Sequence, residues 1–395
     1  MKNSIFKLKI NFKKSKNSFI YDDNSNTKFL DFFGQYSTLT LGYNSNAYKN
    51  NVYSKKLLEI YPQKIVNCEL DSNILQEFKK KFKAQLGLNY YKNFHFCCTG
   101  ALAVEAAIKT AITASKNKKA KILVFKGSFH GINGYGGIYS DRFGMVKYRL
   151  KNFPGEYTDH FDLFEKNRKN IIDKAIHQLE RLIKNKKYNG LLIEPIQSTF
   201  GDRYIPKEIL IEMSLLCKKY SIPLIFDEIQ TGFYASGKKW YFQHIGIKPD
   251  IVIFGKKTQV SGIMVNNKYS SIFNHELRLN VTWNSDLIDM LRSIQIMNYI
   301  VKNNLTNTIQ IQSKELYLFL NEFSFLNNVR YCGYIFAFDL KNTNQRDLFF
   351  KILLKNGILT NPTGAKTIRM RPNLDLKKEE ISIFKKKFKV AANEF

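Results

Sequence analysis

The chain has 395 residues, of which 62 are Lys or Arg and 33 Asp or Glu, leaving a formal net charge of +29. That length exceeds one ordinary hydrophobic core and predicts two packed units, which the 44% of hydrophobic residues are enough to fill. No stretch reaches the roughly 18–20 uncharged apolar residues that span a bilayer. The lysine-interrupted N-terminus MKNSIFKLKINFKKSKNSF lacks the apolar segment and cleavage site of a secretory signal, so a cytoplasmic protein without a membrane partner is expected.

Cys68, Cys97, Cys98, Cys217 and Cys332 form an odd, scattered set. With no CxxC pair and no Cys/His ligand spacing, neither a disulfide framework nor a metal site is expected. The basic runs KKSK, KNKKAK and FKKKFK are dispersed from the N-terminus to the C-terminus without a recognition motif. Specific nucleic-acid binding is therefore not expected, although salt-sensitive attraction to polyanions is.

In chain order, FHFCC passes through Thr-Gly-Ala into the amphipathic, Ala-rich run up to residue 114. Small residues there suit a helix N-terminus whose N–H groups approach a phosphate, or equally a turn packed closely on a sheet. KILVFKG (121–127) predicts a strand, KAIHQLERLIKNKK (174–187) a helix, NGLLIEPIQ (189–197) a strand and KEILIEMSLLCKKY (207–220) a helix. IPLIFDEI (222–229) and PDIVIFG (249–255) are apolar runs typical of strands buried on both faces. Strands alternating with helices argue for a parallel α/β sheet covered on both sides. Beyond Ser285 a long helix (286–303), a second helix, the run YCGYIFAFDL (331–340) and helices near 346–355 and 377–393 predict an α+β unit.

Ligands of open α/β sheets bind outside the carboxyl ends of the strands. Asp227 and Glu228 follow IPLIF, Glu194 follows GLLI, Lys256 follows IVIFG, and Phe129 and His130 follow LVFKG. Each has a plain alternative, since a strand-end acid is often a cap and a lysine after Phe-Gly is often a solvated loop residue. Together, a buried acid and a lysine on neighbouring strand ends suit pyridoxal 5'-phosphate (PLP). That cofactor needs a carboxylate at its pyridine nitrogen and a lysine for its aldehyde.

TGALAVEAAIK, FKGSFHG, LLIEPIQ, IFDEIQTGF and PDIVIFGKK, in that order, resemble the class III (ω-)aminotransferases over roughly residues 25–390. FGKKTQVSGIM, LNVTWNSDLIDMLR, DFFGQYSTLTLGYN and TIRMRPNL are most similar to the L-lysine 6-aminotransferases within that group. The resemblance implies PLP fold type I: a large domain with a mostly parallel seven-stranded sheet covered by helices, plus a smaller α+β domain. Residues 1–50 would join the small domain, 51–290 would form the large one and 291–395 the rest of the small one.

The resemblance also implies roles. Lys256 would be the Schiff-base lysine, with Lys257 as the alternative. Asp227 would pair with the pyridine nitrogen, and Gln230 with the 3-hydroxyl. Gly100 and Ala101 would give N–H groups to the phosphate, and Phe129 and His130 would lie against the ring. Thr282 would reach the phosphate of a neighbouring subunit, making a homodimer part of the site. Arg369, or else Arg371, would bind the carboxylate of glutamate or 2-oxoglutarate. The implied reaction moves an amino group from an amine donor to 2-oxoglutarate. Decarboxylation, racemisation or aminomutation on the same fold is the alternative.

Two positions depart from the pattern. Lysine transaminases usually carry an arginine after FHG and a glutamate in the turn after EPIQ; this chain has Ile132 and Thr199. A donor other than lysine is therefore expected, unless a residue such as Arg142 replaces the missing cation.

Overall fold

The computed structural model describes residues 5–115, 121–141, 158–161, 171–184 and 188–395. The chain folds into two compact units. The larger comprises Ile60–Phe233 and Lys238–Ile294, and the smaller Met1–Glu59, Tyr234–Gly237 and Gln295–Phe395. The boundaries thus fall at 59/60 and 294/295. Four residues interrupt the larger unit because Tyr334 N–H donates to Ala235 O at 2.8 Å and the Cys332 thiol to Ser236 O at 3.5 Å.

The larger unit is built on seven strands: β1 (Asn93–Cys97), β2 (Lys121–Phe125), β3 (Thr158–Phe161), β4 (Tyr188–Ile193), β5 (Leu224–Asp227), β6 (Ile251–Phe254) and β7 (Ser261–Val265). They lie in the order β1-β7-β6-β5-β4-β2-β3. The pairs β2–β3, β2–β4, β4–β5 and β5–β6 are parallel, and β7 runs against both β6 and β1. All residues of β4, β5, β6 and β7 are buried, as expected of strands covered on both faces.

The helices of this unit include α1 (Asn73–Leu86), α2 (Gly100–Ala114), α3 (Gly134–Tyr139), α4 (Ile171–Lys184) and α5 (Lys207–Lys219). The predicted strands and helices are present with shifted ends: the helix Ile171–Lys184 starts three residues before the predicted 174–187, the strand Tyr188–Ile193 covers only the first part of 189–197, and the run 222–229 keeps Leu224–Asp227 as its strand. The last residues of the predicted 174–187 helix, 185–187, lie outside the described residues. Alanine makes α2 narrow enough to lie close on the sheet. Ala103, Val104, Ala106, Ala107, Ile108 and Ala111 join one core with strand residues such as Ile122, Val124, Ile225 and Ile253.

The smaller unit contains a four-stranded antiparallel sheet that includes Asn327–Cys332, Ile335–Asp339, Asn361–Thr363 and Thr367–Met370. The run 331–340 is therefore two strands, because Gly333 turns the chain with φ of +56°. Helices Leu305–Leu320, Thr343–Lys355 and Lys378–Asn393 follow the predicted apolar spacing. Phe32, Phe319, Phe349, Phe384 and Phe388 are buried in this unit, in a chain of ring contacts. Among the described residues no helix is long and apolar enough to cross a membrane.

Candidate active site

Strand direction places the informative residues on one rim of the larger unit. Because β2, β4, β5 and β6 are parallel, their carboxyl ends share an edge. Asp227 ends β5 in register with Ile253 of β6, so Lys256 stands three residues further along the chain, in the turn after β6. Its backbone adopts φ of +55°, a left-handed conformation that costs a non-glycine residue energy and concentrates at functional sites. Lys256 is half-buried, whereas Lys257 is only 2% exposed.

Asp227 is buried, and both of its oxygens are engaged. Oδ1 accepts the Ile229 N–H at 3.2 Å, and Oδ2 lies 2.8 Å from His130 Nδ1. A carboxylate only accepts, so Nδ1 is the donor of this pair. The resemblance placed His130 against the cofactor ring; the structure adds a direct bond to the aspartate. Among the described residues His130 Nε2 has no hydrogen-bond partner.

His130 lies in the loop after β2, which neighbouring residues hold at several points. Glu194, at the end of β4, accepts the Phe129 N–H at 2.8 Å. Ser140 Oγ accepts the His130 N–H at 2.8 Å, and Glu105 of α2 accepts the Gly136 N–H at 3.1 Å. Burial pushes the Glu105 carboxyl above its ordinary value, against the lowering effect of the N–H groups it accepts. Gly134 has φ of +48°, a conformation that favours glycine, and a Cβ there would lie 2.7 Å from Glu105 Oε1, whose carboxylate would have to shift.

The start of α2 lies by the end of β5. Thr99 caps the helix by accepting the Leu102 N–H, and a Cβ on Gly100 would come within 2.8 Å of Ile229 Cδ1. Helix geometry leaves the first-turn N–H groups, those of Gly100 and Ala101 among them, without intrahelical acceptors. Gln230 is half-buried, and its amide oxygen is buried without a partner among the described residues.

Glu228, next to Asp227 in sequence, has a different environment. Its carboxylate accepts N–H groups from Tyr241 at 2.6 Å and Phe242 at 2.9 Å and the Thr231 hydroxyl at 3.2 Å. Burial pushes its carboxyl up to about 7. It ties Thr231, Tyr241 and Phe242 to the end of β5.

The other expected residues are more open. Phe129 and Thr199 are half-buried, Thr282 is exposed, and Ile132 is 65% exposed. The turn holding Thr199 is pinned through Arg203, whose Nε donates to Gln197 Oε1 and Nη2 to Lys126 O, each at 2.8 Å. The segment holding Thr282 is fixed by Asn67, which donates to Asn284 O and Ser285 O and accepts the Asn284 N–H. Arg142 lies outside the described residues.

In the smaller unit Arg369 is buried on strand Thr367–Met370. With the Asn361 amide oxygen turned toward it, Arg369 donates from Nε at 3.1 Å and Nη2 at 2.9 Å. Arg371 donates Nη1 to the backbone carbonyls of Phe336 and Met370.

The larger unit's rim fits PLP. It offers a buried carboxylate fixed beside a lysine-bearing strand end, an amide oxygen at Gln230 with no partner among the described residues, and a helix N-terminus for an anion. The tie from Ser140 to His130 was not anticipated from the sequence. A serine ten residues beyond a histidine carries no periodic or motif signal. Glu194 was legible as a strand-end acid, but not its bond to Phe129.

Comparison with known proteins agrees with this geometry. The family model for aminotransferase class-III matches residues 2–391. The L-lysine-epsilon aminotransferase of Mycobacterium tuberculosis is 29% identical over 394 residues, covering 93% of this chain and 88% of that protein. The protein of the same description from Streptomyces clavuligerus is 26% identical over 409 residues, covering 95% and 88%. The solved structure of a lysine aminotransferase from M. tuberculosis matches with a TM-score of 0.92 at 27% identity, over 98% of this chain and 95% of that one.

Proposed function

The chain belongs to the class III aminotransferases, which are PLP-dependent transaminases, and from that premise we propose that it carries an amino group from a lysine-like primary amine to 2-oxoglutarate. The observation that carries the residue assignment is the buried Asp227–His130 pair at 2.8 Å with Lys256 on the adjoining strand end. Bound PLP supplies an electron sink for the carbon that bears the migrating amine.

The chain's own residues take the following parts. Lys256 Nζ would hold the cofactor's aldehyde carbon, and the free amine would take up and return the migrating proton. Asp227 would accept the ring N–H and favour its protonated form, its oxygens being aimed by Ile229 N–H and His130. Gln230 would direct its amide oxygen, unpartnered among the described residues, to the ring hydroxyl. Gly100 and Ala101 present N–H groups to the phosphate, and Phe129 and His130 enclose the ring.

Arg369 binds the acceptor carboxylate, a bidentate role in keeping with its planar guanidinium. Its place in the run TIRMRP favours it over Arg371; both guanidinium groups already donate, Arg369 to Asn361 and Arg371 to two backbone carbonyls. A homodimer completes the site through Thr282. Its support is the exposed apolar surface beside that residue, where Leu277, Val281 and Trp283 are 69%, 41% and 43% exposed.

The donor differs from L-lysine at its non-reacting end. Ile132 offers an exposed apolar side chain where the lysine enzymes' pattern has a cation, and Thr199 replaces the pattern's acid.

Borohydride reduction of the PLP-loaded protein followed by peptide mass mapping tests the cofactor assignment. The adduct is expected on Lys256; an adduct on Lys257 would overturn it. A single-turnover amine screen tests the rest, with 2-oxoglutarate consumed one for one with the best amine. Release of carbon dioxide without 2-oxoglutarate consumption would indicate a decarboxylase instead, and fast turnover of L-lysine would refute the altered donor.

A further inference from the structure

The loop from Gly127 to Asp141 closes on itself through a buried hydrogen-bond set. Gly127 N–H donates to Asp141 Oδ2 at 2.8 Å, Asp141 N–H to Ser128 O at 2.9 Å, and the Ser128 hydroxyl to Tyr139 O at 3.0 Å. At its centre is Ser140, fully buried at the end of α3. Its oxygen accepts the His130 N–H at 2.8 Å, while its single proton serves Gly131 O or Gly136 O, each also at 2.8 Å. The hydroxyl therefore joins both ends of the segment that carries His130.

We propose that Ser140 is a positioning residue for transamination, fixing the His130 backbone and, through it, the Nδ1 bond that aims Asp227. The proposal rests on the reading that Asp227 receives the cofactor's ring nitrogen. Its physical basis is that a hydrogen bond weakens steeply once its angle departs from linearity. His130 has one ring contact to give, at 2.8 Å, and its own N–H has Ser140 as acceptor. Without that hydroxyl, the buried N–H must find another acceptor, and the loop must move to supply one. A small rotation of the imidazole then loosens Asp227 on the side opposite Ile229. The effect on the site is indirect, because it passes through the His130 backbone.

The test is an absorbance–pH titration of the PLP-loaded protein, run on wild type, Ser140→Ala and Ser140→Thr. Ser140→Ala is expected to keep the borohydride-trapped adduct on Lys256. Its visible-band midpoint should move by about half a pH unit or more, roughly a threefold change in proton affinity, with weaker cofactor retention on dialysis. Ser140→Thr, which keeps the hydroxyl, should restore the midpoint. An unchanged midpoint and retention in Ser140→Ala, alongside a lowered Tm, would show that the serine only supports the fold. Should Ser140→Ala not fold, Ser140→Cys is titrated instead; its midpoint is expected to shift, and a wild-type midpoint would overturn the proposal. A wild type with no visible band and no adduct would point to the cofactor assignment, not to Ser140.

Discussion

His130 and Ile132 lie two residues apart in one loop, in opposite environments. The His130 side chain is fully buried, its ring bonded to Asp227 and its backbone to Ser140. Ile132 is 65% exposed. The first belongs to a floor whose polar atoms are held by short, buried hydrogen bonds. The second belongs to a surface where the fold leaves the side chain open to change. On the proposed function, the contrast puts the residues assigned to the cofactor and the residue assigned to the donor under different physical constraints. A change in the floor strands buried polar groups, whereas a change at Ile132 alters what a ligand meets and little else.

The sharpest way to break this contrast is at Lys256. Lys256→Ala is expected to abolish the visible cofactor band and lower kcat by about 10⁴-fold, at the upper end for loss of a general acid–base group. Lys257→Ala should keep the band; stopped-flow absorbance separates the two. Next comes Asp227→Asn, which keeps the shape but removes the charge. A kcat lowered by roughly 10²–10³-fold is expected, the scale of losing one preorganised electrostatic contact. Wild-type kcat in that variant would remove Asp227 from the floor.

Glu228 sharpens the comparison by showing that a buried acid beside the site need not belong to it. Its carboxyl is raised from 4.5 to about 7, chiefly by burial, so the folded chain binds that proton more tightly than the unfolded chain does. The associated stability is fully present below about pH 4.5 and is lost as pH rises through about 7. The full swing is about 3 kcal/mol at most. Glu228→Gln should flatten the pH dependence of denaturant unfolding over that window, and an unchanged slope would contradict the assignment.

The smallest effect is expected at the exposed end. Ile132→Arg should raise kcat/KM for L-lysine by about tenfold or more, from a charge-assisted contact of roughly 1.5–3 kcal/mol. It should leave the cofactor band in place. A loss of the band would mean that position 132 is part of the floor after all.

Much of the floor was legible because its residues end apolar runs. IPLIF before Asp227, IVIFG before Lys256 and GLLI before Glu194 mark buried parallel strands, and parallel strands bring their carboxyl ends to one rim. The helix from Gly100 was equally visible, since small residues run into alanine-rich, helical spacing. The hairpin at Gly333 was less so. Apolar alternation continues across it, and only the glycine's positive φ interrupts the run.

Periodicity alone determined that this chain builds a largely parallel sheet, which strands bear the polar rim and where the helices lie between them. Local burial patterns encode these features, with apolar residues repeating at strand or helix spacing. The tertiary structure decided which polar groups meet. It bonded His130 to Asp227, placed Ser140 on the His130 backbone and gave Glu228 to Tyr241 and Phe242. Those partners are 97, 10, 13 and 14 residues apart. No local pattern specifies such pairs, because each depends on strand order, loop path and the demand that buried donors and acceptors be satisfied together.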